Sequence, residues 1–429
     1  MSDWTSDSNE CLSISMVRSA EDTKALGEEE SYLEFNPAFT YPIFGEEEKI
    51  YGYKDLNIDL KFTSGSLKQF LYVQWSDKLK SADTVDNVDG IIRQFLPEEV
   101  ETDEEIFQAQ VEHDATSFKP SGELIYSYTR SASKGKAKDV ARLEQGTLNP
   151  DDEDAIVYEV YHTTWDTPGF KEYHRRMQIF ILLYIEAGSY INEEEEAWEF
   201  VVLYEKRKRP GAPHISTYHF VGYSSLYNFY YFPEKIRLRL SQFVILGPYQ
   251  RSGHGSELYK AIYQYVLSQP RIGELTVEDP AEAFEDLRDK NDLKMLLSTK
   301  EFMEEGFSRD AGSHGGGRVG KIGKALSGGG MGKGKMGPPV DKGWAEKWRV
   351  KLKIAGRQFQ RLVEMLIQMH LDPLDARALK AYRLQVKERL YRFNFEVLAQ
   401  LEKEERLEKL EETFQSVRED YNRILKLVY

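Results

Sequence analysis

One stretch constrains this chain more than any other: an apolar strand that runs into a glycine turn and restarts as a helix. From Val244 to Leu258 the sequence reads VILGPYQRSGHGSEL. Glycine lets backbone approach a ligand closely, and the free N–H groups that open a helix favour an anion. Two common phosphate motifs are excluded. A dinucleotide fingerprint needs a third glycine where Leu258 stands, and a P-loop needs Gly-Lys-Ser/Thr. On these residues alone two readings stay open, a phosphate cradle and an ordinary strand-to-helix connection.

Around this turn, strand-like and helix-like runs are interspersed, which predicts an α+β chain. Residues 1–30 are polar and acidic and read as a mobile tail. Residues 31–140 carry short alternating runs such as LNIDLKFTSG and FLYVQWSD, closed by a loop, SASKGKAKD. Residues 141–305 form the next domain. There AIVYEVYHTTW reads as a strand, FKEYHRRMQIFILLYIE as a helix, and AWEFVVLYEK, ISTYHFVGYSSLYNFYYF and IRLRLSQFVIL as successive strands. A helix from about Gly255 to Leu267 sets Leu258, Ile262, Tyr265 and Val266 on one face, then GELTVEDP and AEAFEDLRDKND give a strand and a helix. Between Gly312 and Gly337 glycine recurs at nearly every second position, so 306–343 is expected to be a disordered Gly/Lys-rich insert. From Trp344 onward the spacing of Leu407, Leu410, Phe414, Val417, Tyr421, Ile424 and Val428 predicts a helical domain over 344–429.

Composition narrows the function. In 429 residues the longest apolar stretch is Ile179–Ile185, far short of a membrane span, and the first residues lack the pattern of a secretory signal. Cys11 is the only cysteine, so an internal disulfide and a thiolate metal cluster are excluded, and no metal is expected. A net charge of −15 repels nucleic acid and draws in basic ligands, although acidity for solubility alone is an equal reading.

Gln250-x-x-Gly253-x-Gly255 resembles the Q/R-x-x-G-x-G/A turn of the GCN5-related N-acetyltransferases. The segments SQFVILGPYQRSGHG, LTVEDPAEAFEDLRD, FILLYIEAGS, VGYSSLYNFYYFPEK and LEETFQSVREDYNRILKL further resemble the type B histone acetyltransferase catalytic subunits, in collinear order from about Tyr32. The resemblance implies that acetyltransferase fold, with an N-terminal α+β histone-binding domain and a C-terminal helical domain. It implies acetyl-CoA as co-substrate, with the backbone of Phe243, Val244 and Ile245 along the pantetheine arm. The N–H groups of Gln250, Arg251, Ser252, Gly253, His254, Gly255 and Ser256 would lie on the pyrophosphate, and Phe284 would make a further cofactor contact. His254 itself reads as a packing or capping residue rather than a base.

A lysine amine has a pKa of about 10.4, so acetylation needs a carboxylate to take its proton. Glu278 and Asp279 precede Pro280 at a strand end, and Glu186 closes the helix FILLYIE. Glu-Asp-Pro alone also suits the first turn of a helix. The resemblance makes Glu278 the general base, assisted by Asp279 and Glu186. A covalent acetyl-enzyme is not expected, since Cys11 has no histidine fixed beside it. The resemblance also places the histone tail against Glu46, Glu47 and Glu48 and against Tyr227, Asn228 and Phe229. Trp198 and Tyr227 would wall the lysine channel, and Glu193 to Glu196 form a second acidic run.

The implied activity is acetylation of free, newly made histone tails, chiefly histone four together with its partner core histone. The implied partner is a histone-binding β-propeller of the WD40 type, and the implied compartments are cytoplasm and nucleus. Acetylation of other amines or protein N-termini, and a non-catalytic histone chaperone, are the rival readings. The chain departs from the family in KRKRPGAPH (Lys206–His214), which reads as a partner contact, a nuclear localisation signal or a mobile hairpin tip. It departs also in the insert, where GKGKMG offers Lys333 and Lys335, and VGKIGK offers Lys321 and Lys324, as self-acetylation or pseudo-substrate sites on what is otherwise a linker.

Overall fold

The computed structural model describes residues 4–27, 30–80, 85–131, 149–151, 155–209, 212–307 and 334–428. The chain divides into two compact units, Met1–Tyr230 with Leu238–Tyr265, and Tyr231–Arg237 with Val266–Tyr429. In chain order the first elements are β1 (Thr5–Asp7), α1 (Ser8–Cys11), β2 (Leu12–Val17), α2 (Ala20–Lys24), α3 (Tyr41–Phe44), β3 (Lys49–Tyr51) and β4 (Tyr53–Lys54). Then come β5 (Asn57–Thr63), β6 (Gln69–Gln74), β7 (Asp77–Lys78), α4 (Val88–Arg93), α5 (Glu104–Ser117), β8 (Glu123–Ser131) and β9 (Ala155–Thr164). Next are α6 (Phe170–Met177), α7 (Ile179–Tyr184), β10 (Trp198–Arg209), β11 (Ala212–Tyr231), β12 (Lys235–Ile245), α8 (His254–Ser268) and β13 (Ile272–Val277). The helices α9 (Glu282–Ser298), α10 (Lys300–Phe307), α11 (Lys342–Lys351), α12 (Gly356–His370), α13 (Ala376–Phe393), α14 (Phe395–Leu398) and α15 (Lys403–Val428) complete the chain.

In the first unit the long strands run in the order β12-β11-β10-β9-β8, antiparallel from β8 to β11, with β8 at the edge. A smaller sheet, β2-β5-β6, pairs β2 parallel to β5 and β5 antiparallel to β6. The two sheets share a core through α7, where the Phe180 ring lies 4.9 Å from Phe62 and 5.7 Å from Phe220. The smaller sheet is closed by α5, which lays Phe107 and Val111 on Phe70 and is capped by the Asp103 carboxylate. The segment 170–186, expected as one helix, is two. The Ile181 N–H reaches the Gln178 carbonyl at 3.0 Å, a three-residue closure that tightens the chain between α6 and α7.

The acidic N-terminal stretch is not a tail. Strand β2 buries Leu12, Ile14 and Met16 on one face and pairs along its whole length with β5. Just beyond it, Arg18 is buried and donates to Glu205 on β10 at 2.9 Å and to the Tyr249 hydroxyl at 2.9 Å. Glu205 is fully buried and also paired with Arg207, whose other nitrogen reaches Glu30 at 2.6 Å. Burial acts to raise the Glu205 pKa, yet Arg18 and Arg207 hold it well below the usual carboxylate range. The alternation in LSISMV is that of a strand, but six residues in a polar neighbourhood are averaged away when the stretch is read by composition.

Nor do the compact units follow the expected boundaries. Residues 31–140 and most of 141–305 fold as one unit, because β8 and β9 pair directly from Glu123 to Ala155.

In the second unit β13 lies beside the start of β12, with the Ile236 N–H on the Arg271 carbonyl at 2.8 Å. The helices pack around Trp348 and Phe302, both fully buried, and the indoles of Trp344 and Trp348 both donate to Glu305, at 2.7 and 2.8 Å. Between α12, α13 and α15 a buried triad joins Arg389, Glu364 and Tyr421. Most of the expected insert, including Lys321, Lys324 and Lys333, lies outside the described residues, but its end is ordered. Met336 is fully buried against Gly306 of α10, where a Cβ would meet its methyl at 2.6 Å. Lys335 sits in that turn and pairs with Asp341 at 3.2 Å, so it is not carried on a free chain.

Removing one partner of a buried ion pair costs about 3–5 kcal/mol, because the other charge is stranded. Arg18→Ala is therefore expected to lower unfolding stability by about 3 kcal/mol or more, read from urea denaturation. A loss below about 0.5 kcal/mol, the scale of a neutral surface change, would show that the N-terminal segment is not locked onto β10.

Candidate functional site

Strand β12 ends with Val244 and Ile245 buried, and the Leu246 N–H pairs with the Val221 carbonyl at 3.0 Å. A single 3-10 turn over Gly247–Tyr249 follows, and the Gln250 amide folds back onto the Ile245 carbonyl at 2.8 Å. Arg251 (φ 58°) and Gly253 (φ 79°) then take left-handed conformations, reversing the chain into α8. The Glu257 N–H donates to the Gly253 carbonyl at 3.2 Å and enters the helical ladder. The first N–H groups of any α-helix lie outside its own ladder, and an anion is one acceptor that such a helix start can take. This backbone fits a phosphate.

The opening of α8 is held from β8. Three residues on one face of that strand, at i, i+2 and i+4, meet it in sequence. The Tyr126 hydroxyl bonds Glu257 at 2.6 Å, the Tyr128 hydroxyl meets His254 Nδ1 at 2.7 Å, and Arg130 donates to the Ser252 carbonyl. Sequence reasoning missed all three, although the alternation in ELIYSYTRS was the available signal. His254 is buried among the rings of Tyr128, Tyr158 and Tyr249, and burial, then the Arg130 charge, lowers its pKa to about 3. It is a neutral packing residue and not a base.

Trp198 on β10 stands opposite Tyr227 on β11, with ring centroids 4.8 Å apart at 75°. Phe229 extends this aromatic wall, 4.7 Å from Tyr227 and covered by the Arg239 guanidinium at 4.2 Å. The Asn228 amide points the other way and donates to Glu199 at 2.6 Å and to the Ala197 carbonyl at 3.1 Å. Glu199 also accepts from Tyr265 at 2.9 Å and meets His162 Nε2 at 2.8 Å. Asn228 therefore fixes the strand pair, while Tyr227 and Trp198 present the flat surface.

The acidic clusters divide in the same way. Glu48 accepts the N–H groups of Thr40 at 2.8 Å and Tyr41 at 3.1 Å, and chiefly the Thr40 bond lowers its pKa. It caps α3, whereas Glu46 and Glu47 are exposed, Glu47 taking the Tyr51 hydroxyl at 3.0 Å. Glu193 is paired with Arg175 at 2.8 Å. Each basic residue from Lys206 to Arg209 is also paired within the chain, with Glu159, Glu30 and Glu205, Asp151, and Asp22 respectively. Strands β10 and β11 run almost to the hairpin tip, so no loose basic loop is present among the described residues.

Glu186 is exposed just after α7 in the first unit. Glu278, Asp279 and Phe284 belong to the second, where both acids are exposed at the end of β13 and Phe284 is half-buried in the first turn of α9. Asp279 has a left-handed backbone (φ 31°), and α9 starts only at Glu282, so Glu-Asp-Pro is a connector and not a helical first turn. Cys11 is buried, and burial pushes its thiol up to about 12, which leaves no thiolate for covalent catalysis.

The first unit thus combines a glycine turn between a strand and a helix, where an anion can be received, with a pair of facing aromatic rings on β10 and β11. Comparison with known proteins then gives the class. Residues 4–186 match the family model of the histone acetyl transferase HAT1 N-terminus, and residues 330–372 that of the fungal HAT1 C-terminal region. A histone acetyltransferase type B catalytic subunit of Cryptococcus neoformans is 49% identical over 100% of this chain and 99% of its own length. That of Mycosarcoma maydis is 43% identical over 97% and 87%, and that of Kluyveromyces lactis 32% identical over 99% and 93%. A solved aminoglycoside acetyltransferase from a soil metagenome covers 33% of this chain and 87% of its own, at 17% identity and a TM-score of 0.21, too slight a likeness to bear on the fold. The class is that of the acetyltransferases. The chain belongs to the type B histone acetyltransferase catalytic subunit family.

His174 is also fully buried among aromatic rings, and burial, then Arg175, lowers its pKa to about 3. Above pH 6.5 both buried imidazoles are neutral folded or unfolded, so they leave stability unchanged. As pH falls from about 6.5 towards 3 only the unfolded chain takes up the protons, and stability drops by about 1.4 kcal/mol per pH unit for each. Urea midpoints measured from pH 7.5 to 5 should show this loss, and His254→Gln should flatten the slope. Titration of His254 near pH 6.5 in the native protein, seen by NMR, would contradict its burial.

Proposed function

We propose that this chain transfers the acetyl group of acetyl-CoA to lysine side chains of free, newly made histone tails, chiefly that of histone four. The observation that carries the reading is the turn from Gln250 to Ser256, where left-handed Arg251 and Gly253 reverse the chain into the start of α8, in a chain of this family. The N–H groups of this turn would hold the pyrophosphate, and the backbone of Phe243 to Ile245 would align the pantetheine arm. Phe284 would add an apolar contact to the same co-substrate.

The acceptor lysine must lose a proton as its nitrogen attacks the thioester carbonyl. Glu278 is proposed to take that proton, directly or through one water, with Asp279 and Glu186 as further carboxylates. The neutral amine attacks the thioester carbonyl directly, the C–S bond breaks, and coenzyme A leaves as a thiolate that takes up a proton, a route that needs no enzyme thiol. Trp198 and Tyr227 would bracket the lysine stem and favour the neutral amine by excluding water. Glu46 and Glu47, exposed and acidic, would meet cationic parts of the tail.

The histone would arrive with its partner core histone and a histone-binding β-propeller subunit, in cytoplasm and nucleus. With Lys206 to Arg209 already ion-paired, a propeller contact at this hairpin would rest on its tip and not on free basic charge.

Transfer from labelled acetyl-CoA to a histone-four tail peptide tests the reading. Glu278→Gln should lower turnover about 10²-fold while the KM for acetyl-CoA stays within about twofold. Absence of transfer by the wild type would sink the function, and unchanged turnover in the variant would remove Glu278 as the base.

A further inference from the structure

Three arginines of the first unit that are buried or nearly so, Arg18, Arg207 and Arg209, are each paired with a carboxylate. Arg130 is not. It is half-buried on edge strand β8, and among the described residues no carboxylate lies within ion-pairing distance of it. Its one side-chain hydrogen bond there runs from Nη1 to the Ser252 carbonyl, and among the described residues none bonds Nε or Nη2. Setting a charge partly out of water with no counter-charge is costly, and the cost is offset when an anion binds.

The position of this guanidinium indicates which anion. Nη2 lies 3.0 Å from the point where a side chain on Gly253 would begin, so it covers the left-handed glycine of the turn. The rings of Tyr128 and Tyr158, with centroids 5.2 and 6.0 Å from Cζ, hold the group against that glycine. Arg251, exposed on the turn itself, is likewise without a carboxylate partner among the described residues. Arg130 thus lies directly against the turn that opens α8. A planar guanidinium matches the paired oxygens of a phosphate, and its charge-assisted bonds are about twice as strong as neutral ones.

We propose that Arg130, reaching from β8, is a ligand of the donor's diphosphate and sets how strongly the enzyme prefers donors that carry one. The inference rests on the acetyl-CoA reading above and adds to it a residue remote in sequence from the glycine turn. It competes with a simpler role, in which Arg130 only clamps the Ser252 carbonyl and shapes the turn.

Three donors separate the roles: acetyl-CoA, its 3′-dephospho form, which keeps the diphosphate, and S-acetylpantetheine, which lacks it. In Arg130→Gln, kcat/KM for both diphosphate donors should fall about tenfold, through KM, so that their advantage over S-acetylpantetheine shrinks by the same factor. Arg130→Lys should recover part of it. Titration calorimetry with inorganic pyrophosphate should show about tenfold weaker binding to Arg130→Gln, a readout that stands even if no peptide is acetylated. Failure of transfer by the wild type would therefore sink the proposed function without touching this result. An equal loss for all three donors, or pyrophosphate binding that ignores the substitution, would leave Arg130 as a clamp only and overturn the proposal. Melting temperatures of both variants guard against a folding defect.

Discussion

The fully buried carboxylate of Glu205 organises the first unit. A charge in that position is tolerable only if cations reach it, and the chain brings them from opposite directions. Arg18 comes from the N-terminal segment and Arg207 from two residues along the same strand, while Glu30 and Tyr32 complete the shell. Neutralising this group ties Arg18, Tyr32 and Glu30 to β10 through Glu205 and Arg207. The interaction is not a surplus of stability, since apolar residues could fill the same space at similar or lower free energy. What the charges impose is register, because each has one partner at one place.

The same network extends to the glycine turn. Arg18 donates to the Tyr249 hydroxyl, and the Tyr249 ring stands edge-on to His254, the first residue of α8. His254 is held in turn by Tyr128. The backbone of the glycine turn therefore rests on a floor built from the N-terminal segment, the edge strand β8 and the helix start. Preorganisation of this kind lowers the ordering cost of binding.

How much of this was legible depends on range. The turn at 250–256, the strands before it and the helices after Trp344 were visible because their signals are local: glycines at fixed offsets, and periodicity of two or 3.6. The ordered N-terminus was not, since its strand is short and its stabilising charge partner is 187 residues away. Arg130 was missed for the same reason: the alternation in ELIYSYTRS marks a strand face, but not that this face meets Ser252, 122 residues away. Glu48 was visible as an acid but not as the cap of α3, because a charge run does not show which member turns inward. The end of the insert misled by composition: glycine and lysine predict a free chain, yet Met336 finds a slot that only Gly306 leaves open.

The single cysteine has a use that follows from its place in the fold. Cys11 closes α1 directly before β2, buried and held as a thiol. Native molecules hide it, and any molecule in which β2 lifts away from β5 exposes it. Its rate of alkylation is therefore a clock for the opening of the N-terminal segment, built into the wild-type chain and readable without introducing a label.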